Sequence, residues 1–461
     1  MKLQMLVAAL VLAGCATVPD IDASRIPAAP AQFKEAAKAP AAPAMLPADG
    51  AWWKTFNDPV LDDLVARAER NNASIETAAA RLAQARAFAK AADAERMPQA
   101  SLDANVGRLG GIVDNTSGPA RTFGAVGANL SYEVDLFGKL SKASEAARLD
   151  AQSRESLLVS TRLLVDAEVS QTYLAIRALD EERALVRSTV AAYQDTLDLT
   201  ERRYRAGDVA ELDVERARTE VAATESDAFA LDRRRAELEH ALAVLVGDVS
   251  SRFDLPVAPW STALPTIPAG VPSTVLTRRP DVRAAQSAMQ AAAQRVGVAK
   301  ADWFPDVALT ASGGYASSEL GQLLKWPARA WLVGAVFSTP LFDGGRRTAN
   351  IANSNAQLDE SMARYREQVL VAFRDVEDQL SALRILASQS DAQARAVASA
   401  TRSTTISDVR YRNGLVSQLD LLDARRSELR NRREALQVRA AQYQATVGLV
   451  RALGGGWGNA S

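Results

Sequence analysis

Two stretches of the 461-residue chain nearly repeat each other: Tyr204–Asp213 reads YRAGDVAELD and Tyr411–Asp420 reads YRNGLVSQLD. Each stands at the end of a long run without glycine or proline. No glycine lies between Gly138 and Gly207 or between Gly345 and Gly414, and no proline occurs from Ala120 to Leu255 or after Pro340. Within the second run Leu358, Met362, Tyr365, Val369, Phe373, Val376, Leu380 and Leu383 recur at spacings of three and four, the seam of a packed helix. Each run is just under seventy residues, which predicts a rod of about 100 Å at 1.5 Å per residue. Ordinary globular helices average about a dozen residues, so such rods form a coiled coil, a stalk or a wall across a wide gap. At Gly207 and Gly414 the chain turns, because the position after a helix end favours the left-handed conformation that glycine adopts freely. Second helices are expected at about Val209–Val246 and Val416–Leu453.

A helical hairpin alone requires the glycine and the leucines. It does not require the matches Tyr204/Tyr411, Arg205/Arg412, Val209/Val416, Asp213/Asp420 and Arg218/Arg425. Duplication of a whole unit does, and the same plan precedes each rod at a constant offset. The first copy has a helical stretch over about Pro59–Arg96, a break at Pro98, and alternating stretches near 100–109 and 122–136. The second has a helical stretch over about Pro272–Trp303, a break at Pro305, and alternating stretches near 307–315 and 330–341. The long helices are then expected over about 139–206 and 346–413.

Composition narrows the function. The net charge is −1, so nothing points to nucleic acid, and no basic stripe with interleaved aromatics is present. With one histidine, His240, and one cysteine, Cys15, a metal centre or a Cys/His nucleophile pair would lack its usual parts. His240 falls in AELEHALAVLVG, a helical stretch, and reads as a surface or packing residue. No paired carboxylates are placed as an acid–base set, so neither an enzyme nor a cofactor is expected beyond a covalent lipid on Cys15. That cysteine ends an apolar run far shorter than the ~20 residues of a membrane span, which reads as a secretion signal. Leu12-Ala13-Gly14-Cys15 resembles the bacterial lipobox, in which the cysteine is acylated, and Ala16 after it resembles the signal for sorting to the outer membrane. The Pro/Ala-rich segment that follows reads as a tether along a surface.

In VGANLSYEVDL one face carries Val126, Ala128, Leu130, Tyr132 and Val134, and the other Asn129, Ser131, Glu133 and Asp135. Trp331, Val333, Ala335 and Phe337 group likewise in WLVGAVFSTPL. An apolar face toward lipid and a polar face toward water is the barrel pattern; two hairpins on a soluble sheet fit the alternation equally well. Four strands cannot close a membrane barrel, whose minimum is about eight, and open edges in lipid leave backbone groups unpaired. If these strands span a membrane, several chains pool them.

The lipobox, the duplicated plan, YEVDLFGK, PLFDGGRR and the two YRxGxVxxLD turns together resemble the TolC-like outer-membrane efflux proteins, in the lipoprotein branch that serves resistance–nodulation–division (RND) drug pumps. The resemblance covers essentially all of the mature chain. It implies a mainly α fold with a β-barrel portion: a homotrimer whose twelve strands form one outer-membrane barrel on a long periplasmic α-helical barrel, with a small mixed equatorial domain. It implies a signal peptide over 1–14, an acylated N-terminus and tether over 15–50, and efflux repeats over 51–248 and 272–453. An equatorial connector over 249–271 joins them, and a tail covers 454–461. The implied function is the exit duct of a tripartite efflux pump, with a periplasmic adaptor and an inner-membrane RND transporter as partners and the outer membrane as its site. The periplasmic gate of the family, carried over by position, falls on Leu419, Asp420, Asp423 and Arg426. Asp420 and Asp423, three apart, share a helix side, so in a trimer they would form carboxylate rings that attract cations. A periplasmic lipoprotein scaffold without a channel is the alternative.

Overall fold

In the computed structural model, residues 18–36, 50–109, 121–267 and 272–455 are described. Cys15, the signal stretch, residues 37–49 of the tether and residues 456–461 of the tail lie outside them. The chain divides into two compact units, one of residues 80–156, 284–368 and the first 27, the other of 28–79, 157–283 and 369–461.

The first unit holds a four-stranded antiparallel sheet in the order β1 (Gln99–Leu109), β2 (Arg121–Glu133), β3 (Asp306–Ser317) and β4 (Arg329–Ser338). Gln99 faces Ser131, Glu133 faces Ala308 and Asp306 faces Ser338, so the middle pair joins the two halves of the chain. Strands β2 and β4 stop three residues short of the reach expected from alternation, at Glu133 and Ser338. Pro340 has no N–H to give a ladder. Asp135 leaves the strand because its carboxylate accepts from the N–H groups of Leu140 and Ser141, at 3.0 and 2.8 Å, capping a long helix. Asp343 does the same for Gly345 and Arg347 at 3.0 and 3.2 Å.

The helices are α1 (Pro59–Asn71), α2 (Ala73–Ala94), α3 (Lys139–Arg205), α4 (Glu211–Leu245), α5 (Pro272–Arg278), α6 (Pro280–Ala301), α7 (Arg346–Arg412) and α8 (Gln418–Ala452). Helices α3 and α7 each run 67 residues unbroken. The two preceding stretches, expected as single helices, are each two. Asn72 takes an extended backbone and its side chain accepts from Ser74 and Ile75, starting α2 afresh. At the second break Pro280 acts sterically, disfavouring the helical conformation at Arg279. No helix among the described residues is long and apolar enough to cross a membrane.

One part of the second unit's core is an aromatic cluster. Phe56 stacks on Tyr443 at 6.2 Å and Trp260 lies 4.7 Å from the same ring. Asp58 caps α1 and also accepts from Tyr173 Oη at 2.7 Å and Thr262 Oγ1 at 3.0 Å, which fixes the connector to α3. Part of the expected tether is packed and not loose. Phe33 is buried, and the N–H groups of Lys34 and Glu35 donate to the Glu377 carboxylate at 2.7 and 3.0 Å.

On α3 the carboxyl of Asp166 is buried with Oδ1 unpaired. Burial, with the Glu69 carboxylate adding repulsion, pushes its pKa up from 3.8 to about 8. The folded chain therefore binds a proton that the unfolded chain releases between those values, and stability falls as pH rises through that window. The apparent melting temperature is expected to drop by several degrees from pH 5 to pH 8, and Asp166→Asn to flatten that drop; equal slopes in both proteins would refute it.

Candidate functional site: the paired helix turns

Both YRxG turns end a long helix in the same way. Gly207 and Gly414 have φ of 85° and 73°. In the first, Asp208 N–H reaches Arg203 carbonyl and Gly207 N–H reaches Tyr204 carbonyl, both at 2.9 Å. In the second, Leu415 reaches Arg410 and Gly414 reaches Tyr411, at 2.9 and 3.0 Å. These paired bonds satisfy the last helical carbonyls and demand a left-handed residue, hence glycine.

The copies then part. Tyr204 is 44% exposed, whereas Tyr411 is 3% exposed and its hydroxyl lies 3.2 Å from Thr200 Oγ1. Arg203 lies over the Tyr411 ring at 4.8 Å and donates to the carbonyls of Tyr411 and Arg412 at 3.3 and 3.1 Å. Gln418, also buried, donates to Thr200 Oγ1 at 3.2 Å. The second turn is thus seated on the end of α3, and the first is left open.

Helix α8 starts with a reciprocal cap. Ser417 Oγ accepts from Asp420 N–H at 3.2 Å, and the Asp420 carboxylate accepts from Ser417 N–H at 3.0 Å and from its hydroxyl at 2.6 Å. The Ser417 hydroxyl and N–H hold the Asp420 carboxyl below the usual range. The first copy has Ala210 at that position and no side-chain cap. Leu421 and Leu422 face inward, Leu422 joining Tyr193, Leu197, Val214, Ala217 and Val221 in one apolar cluster. Leu419 is 43% exposed.

Of the four residues assigned to the gate, the structure joins Asp423 and Arg426, 3.3 Å apart, and leaves Leu419 and Asp420 apart from that pair. Arg426 also forms a two-pronged pair with Glu220 of α4, with Nε 2.9 Å from Oε2, and that carboxylate raises its pKa. The neighbouring Arg425, matched to Arg218 in the repeat but not among the gate residues, is buried deeper. It donates to Ala192 carbonyl at 2.6 Å, to Thr196 Oγ1, and to Asp408 at 2.9 Å. One side chain thus ties α8 to both long helices. Its counterpart Arg218 is half-exposed and pairs locally with Glu201 and Glu215. Two turns along α8, Arg433 reaches Glu182 and Asp227 at 2.8 and 3.0 Å. The signal available in the sequence was the run of arginines on α8 facing acids on the first hairpin.

Pro98 and Pro305 sit one residue before β1 and β3, where each helix gives way to a strand. His240 lies exposed on α4. Among the described residues no three His, Cys, Asp or Glu side chains are grouped to hold a metal ion. What the arrangement offers is mechanical: two helix turns, one locked by removable polar ties.

A duplicated unit of strands and very long helices is the plan of the solved outer-membrane channels. The chain belongs to the outer membrane efflux protein family, whose model matches residues 64–248 and 271–455. It is 30% identical over 466 residues to the antibiotic efflux pump outer membrane protein ArpC of Pseudomonas putida, covering 99% of this chain and 95% of that one. Identity to the cation efflux system protein CusC of Escherichia coli is also 30%, over 460 residues and 99% of both chains. The solved outer-membrane channel OprN superposes with a TM-score of 0.90 at 29% identity, covering 96% of this chain and 100% of that one.

Proposed function

We propose that this chain is the exit duct of a tripartite efflux pump, a passive homotrimeric channel from periplasm to exterior. The observation that carries it is the family match over both halves of the chain, joined to an antiparallel sheet whose register aligns Ala100, Leu130, Ala311 and Val333 on one face. In the trimer the sheets pool into one barrel in outer-membrane lipid, and the long helices extend into the periplasm. The turns at Gly207 and Gly414 meet a periplasmic adaptor, which couples the duct to an inner-membrane transporter of the RND type. Leu419, Asp420, Asp423 and Arg426 form the resting gate, with Arg425 as the tie that holds it. The duct neither catalyses a reaction nor binds nucleic acid, and its one covalent group is the lipid on Cys15.

Cargo follows from the transporter and not from the duct. The relatives named for antibiotics and for cations share this architecture at equal identity, so small molecules of quite different charge fit the same reading. Protein purified from membranes is expected to give discrete conductance steps in a planar bilayer, altered by multivalent cations, and its N-terminal peptide to carry acyl mass on Cys15. A monomer that never conducts would favour the scaffold alternative instead.

A further inference from the structure

One shift of 207 residues relates the copies throughout. It carries Pro98 to Pro305, Gln99 of β1 to Asp306 of β3, Lys139 of α3 to Arg346 of α7, and Gly207 to Gly414. It also carries the β1–β2 register, Gln99 facing Ser131, onto the β3–β4 register, Asp306 facing Ser338. The β2–β3 pair is where the first copy meets the second, with Gly127 facing Gly314 and Ser131 facing Thr310. A Cβ on Gly314 would fall on the Val126 carbonyl oxygen and the Gly127 Cα, so that close approach admits only glycine. The reverse meeting, second copy to first, involves β4 and β1, which stand at opposite edges of the sheet.

The same shift turns Gly127 and Gly314 into Gly334 and Gly107. Within the chain neither has a reason to be glycine. A Cβ on Gly334 would come no nearer than 3.8 Å to any atom, and one on Gly107 would meet only the movable ring of Phe123. Neither has a positive φ. The charges obey the relation as well. Lys139 lies 3.0 Å from Asp302, and the shifted positions are Arg346 and Glu95, both exposed and again of opposite sign. On α6, Ala291 is fully buried. Its counterpart on α2, Gln84, is exposed, as is Phe88 at 72%.

Resting on the trimeric reading above, we infer that β4 pairs with β1 of a second copy in a defined register: Gly334 opposite Gly107, Ala335 opposite Val106 and Ser338 opposite Asp103, with Arg346 paired to Glu95. This register keeps Asp103 and Asn105 on the face of Ser338 and Val106 on the face of Ala335. A slip of one residue would turn every side chain to the wrong face, and a slip of two would separate the glycines.

The register is read by disulfide trapping in the full chain with Cys15 kept, its sulfur being taken up by the lipid of the reading above. Ala335→Cys with Val106→Cys is expected to yield cross-linked trimers on mild oxidation, and the displaced pair Ala335→Cys with Ala104→Cys several-fold less. Gly107→Ala, at the counterpart of Gly314, is expected to abolish the oligomer and Gly334→Ala to weaken it, whereas Gly321→Val, in open space, leaves it intact. Glu95→Arg and Arg346→Glu should each loosen the oligomer and together restore it. If the displaced pair links as well or better while trimers persist, the register is wrong and the duct reading survives. If native membranes hold no oligomer of any kind, both fall.

Discussion

Arg425→Ala is expected to shift the tip from closed toward open by tenfold or more, seen as raised open probability in bilayers. Cells carrying it should also become sensitive to a bulky hydrophilic antibiotic. The guanidinium is 13% exposed and donates to Ala192 carbonyl, Thr196 and Asp408, holding α8 to α3 and α7 together. Hydrogen bonds to charged groups contribute roughly 1.5–3 kcal/mol each, and about 1.4 kcal/mol is a factor of ten, so loss of even one such bond suffices. Arg426 divides between two carboxylates. Asp423 is 62% exposed, and a pair in that setting contributes roughly 0.2–1 kcal/mol. Glu220 is 13% exposed and held by two contacts, so Arg426→Ala should also shift the equilibrium toward open, by up to about tenfold. Leu421 and Leu422, both buried, are untouched by either substitution, so the hairpin is expected to keep its fold. Wild-type gating in Arg425→Ala would remove it from the lock.

The order of Arg425 and Arg426 shows what a linear sequence carries and what it does not. Helix ends were legible because glycine and proline mark them locally; Gly207, Gly414, Pro98 and Pro305 all fall at element boundaries. The strands are legible as alternation, with overruns where Asp135 leaves the strand to cap a helix and Pro340 breaks the ladder, but the β2–β3 pair is not. The break at Asn72 was missed because an asparagine cap inside an otherwise helical stretch looks like any exposed polar residue. Which of two adjacent arginines is buried depends on partners more than two hundred residues away, such as Ala192 and Glu220. Periodicity along one helix carries no such information. The packed tether is a similar case, since backbone N–H groups of Lys34 and Glu35 hold it to Glu377. Conversely, Asp420 was singled out for its charge, and its carboxylate serves first as a helix cap.

A second large effect is expected far from the turns, at Asp180. Its side chain is 1% exposed and stands among three arginines: Arg235 at 2.9 Å, Arg183 at 3.1 Å and Arg177 at 3.5 Å. Each arginine holds something else. Arg177 donates to Tyr173 Oη and to Pro256 carbonyl, at 3.1 and 2.8 Å, and so joins α3 to the connector. Arg183 pairs with Asp232 of α4 at 2.7 Å, and Arg235 pairs with Glu239 at 2.5 Å. Asp180 is thus the one anion common to the three, and Arg177, at 4% exposure, is buried beside it. Removing one partner from a buried ionic cluster costs about 3–5 kcal/mol, because the charges left behind stay buried. Asp180→Ala should therefore lower the apparent melting temperature markedly and reduce the amount of folded protein in membranes. Asp180→Asn keeps the shape and one acceptor oxygen but not the charge, and should fall between. The contrast matters because the cluster is structural: conductance of whatever Asp180→Ala protein does assemble should match wild type. A variant that melts normally would show that Asp232 and Glu239 alone neutralise the arginines. One that folds but conducts abnormally would place the cluster in the duct's working parts.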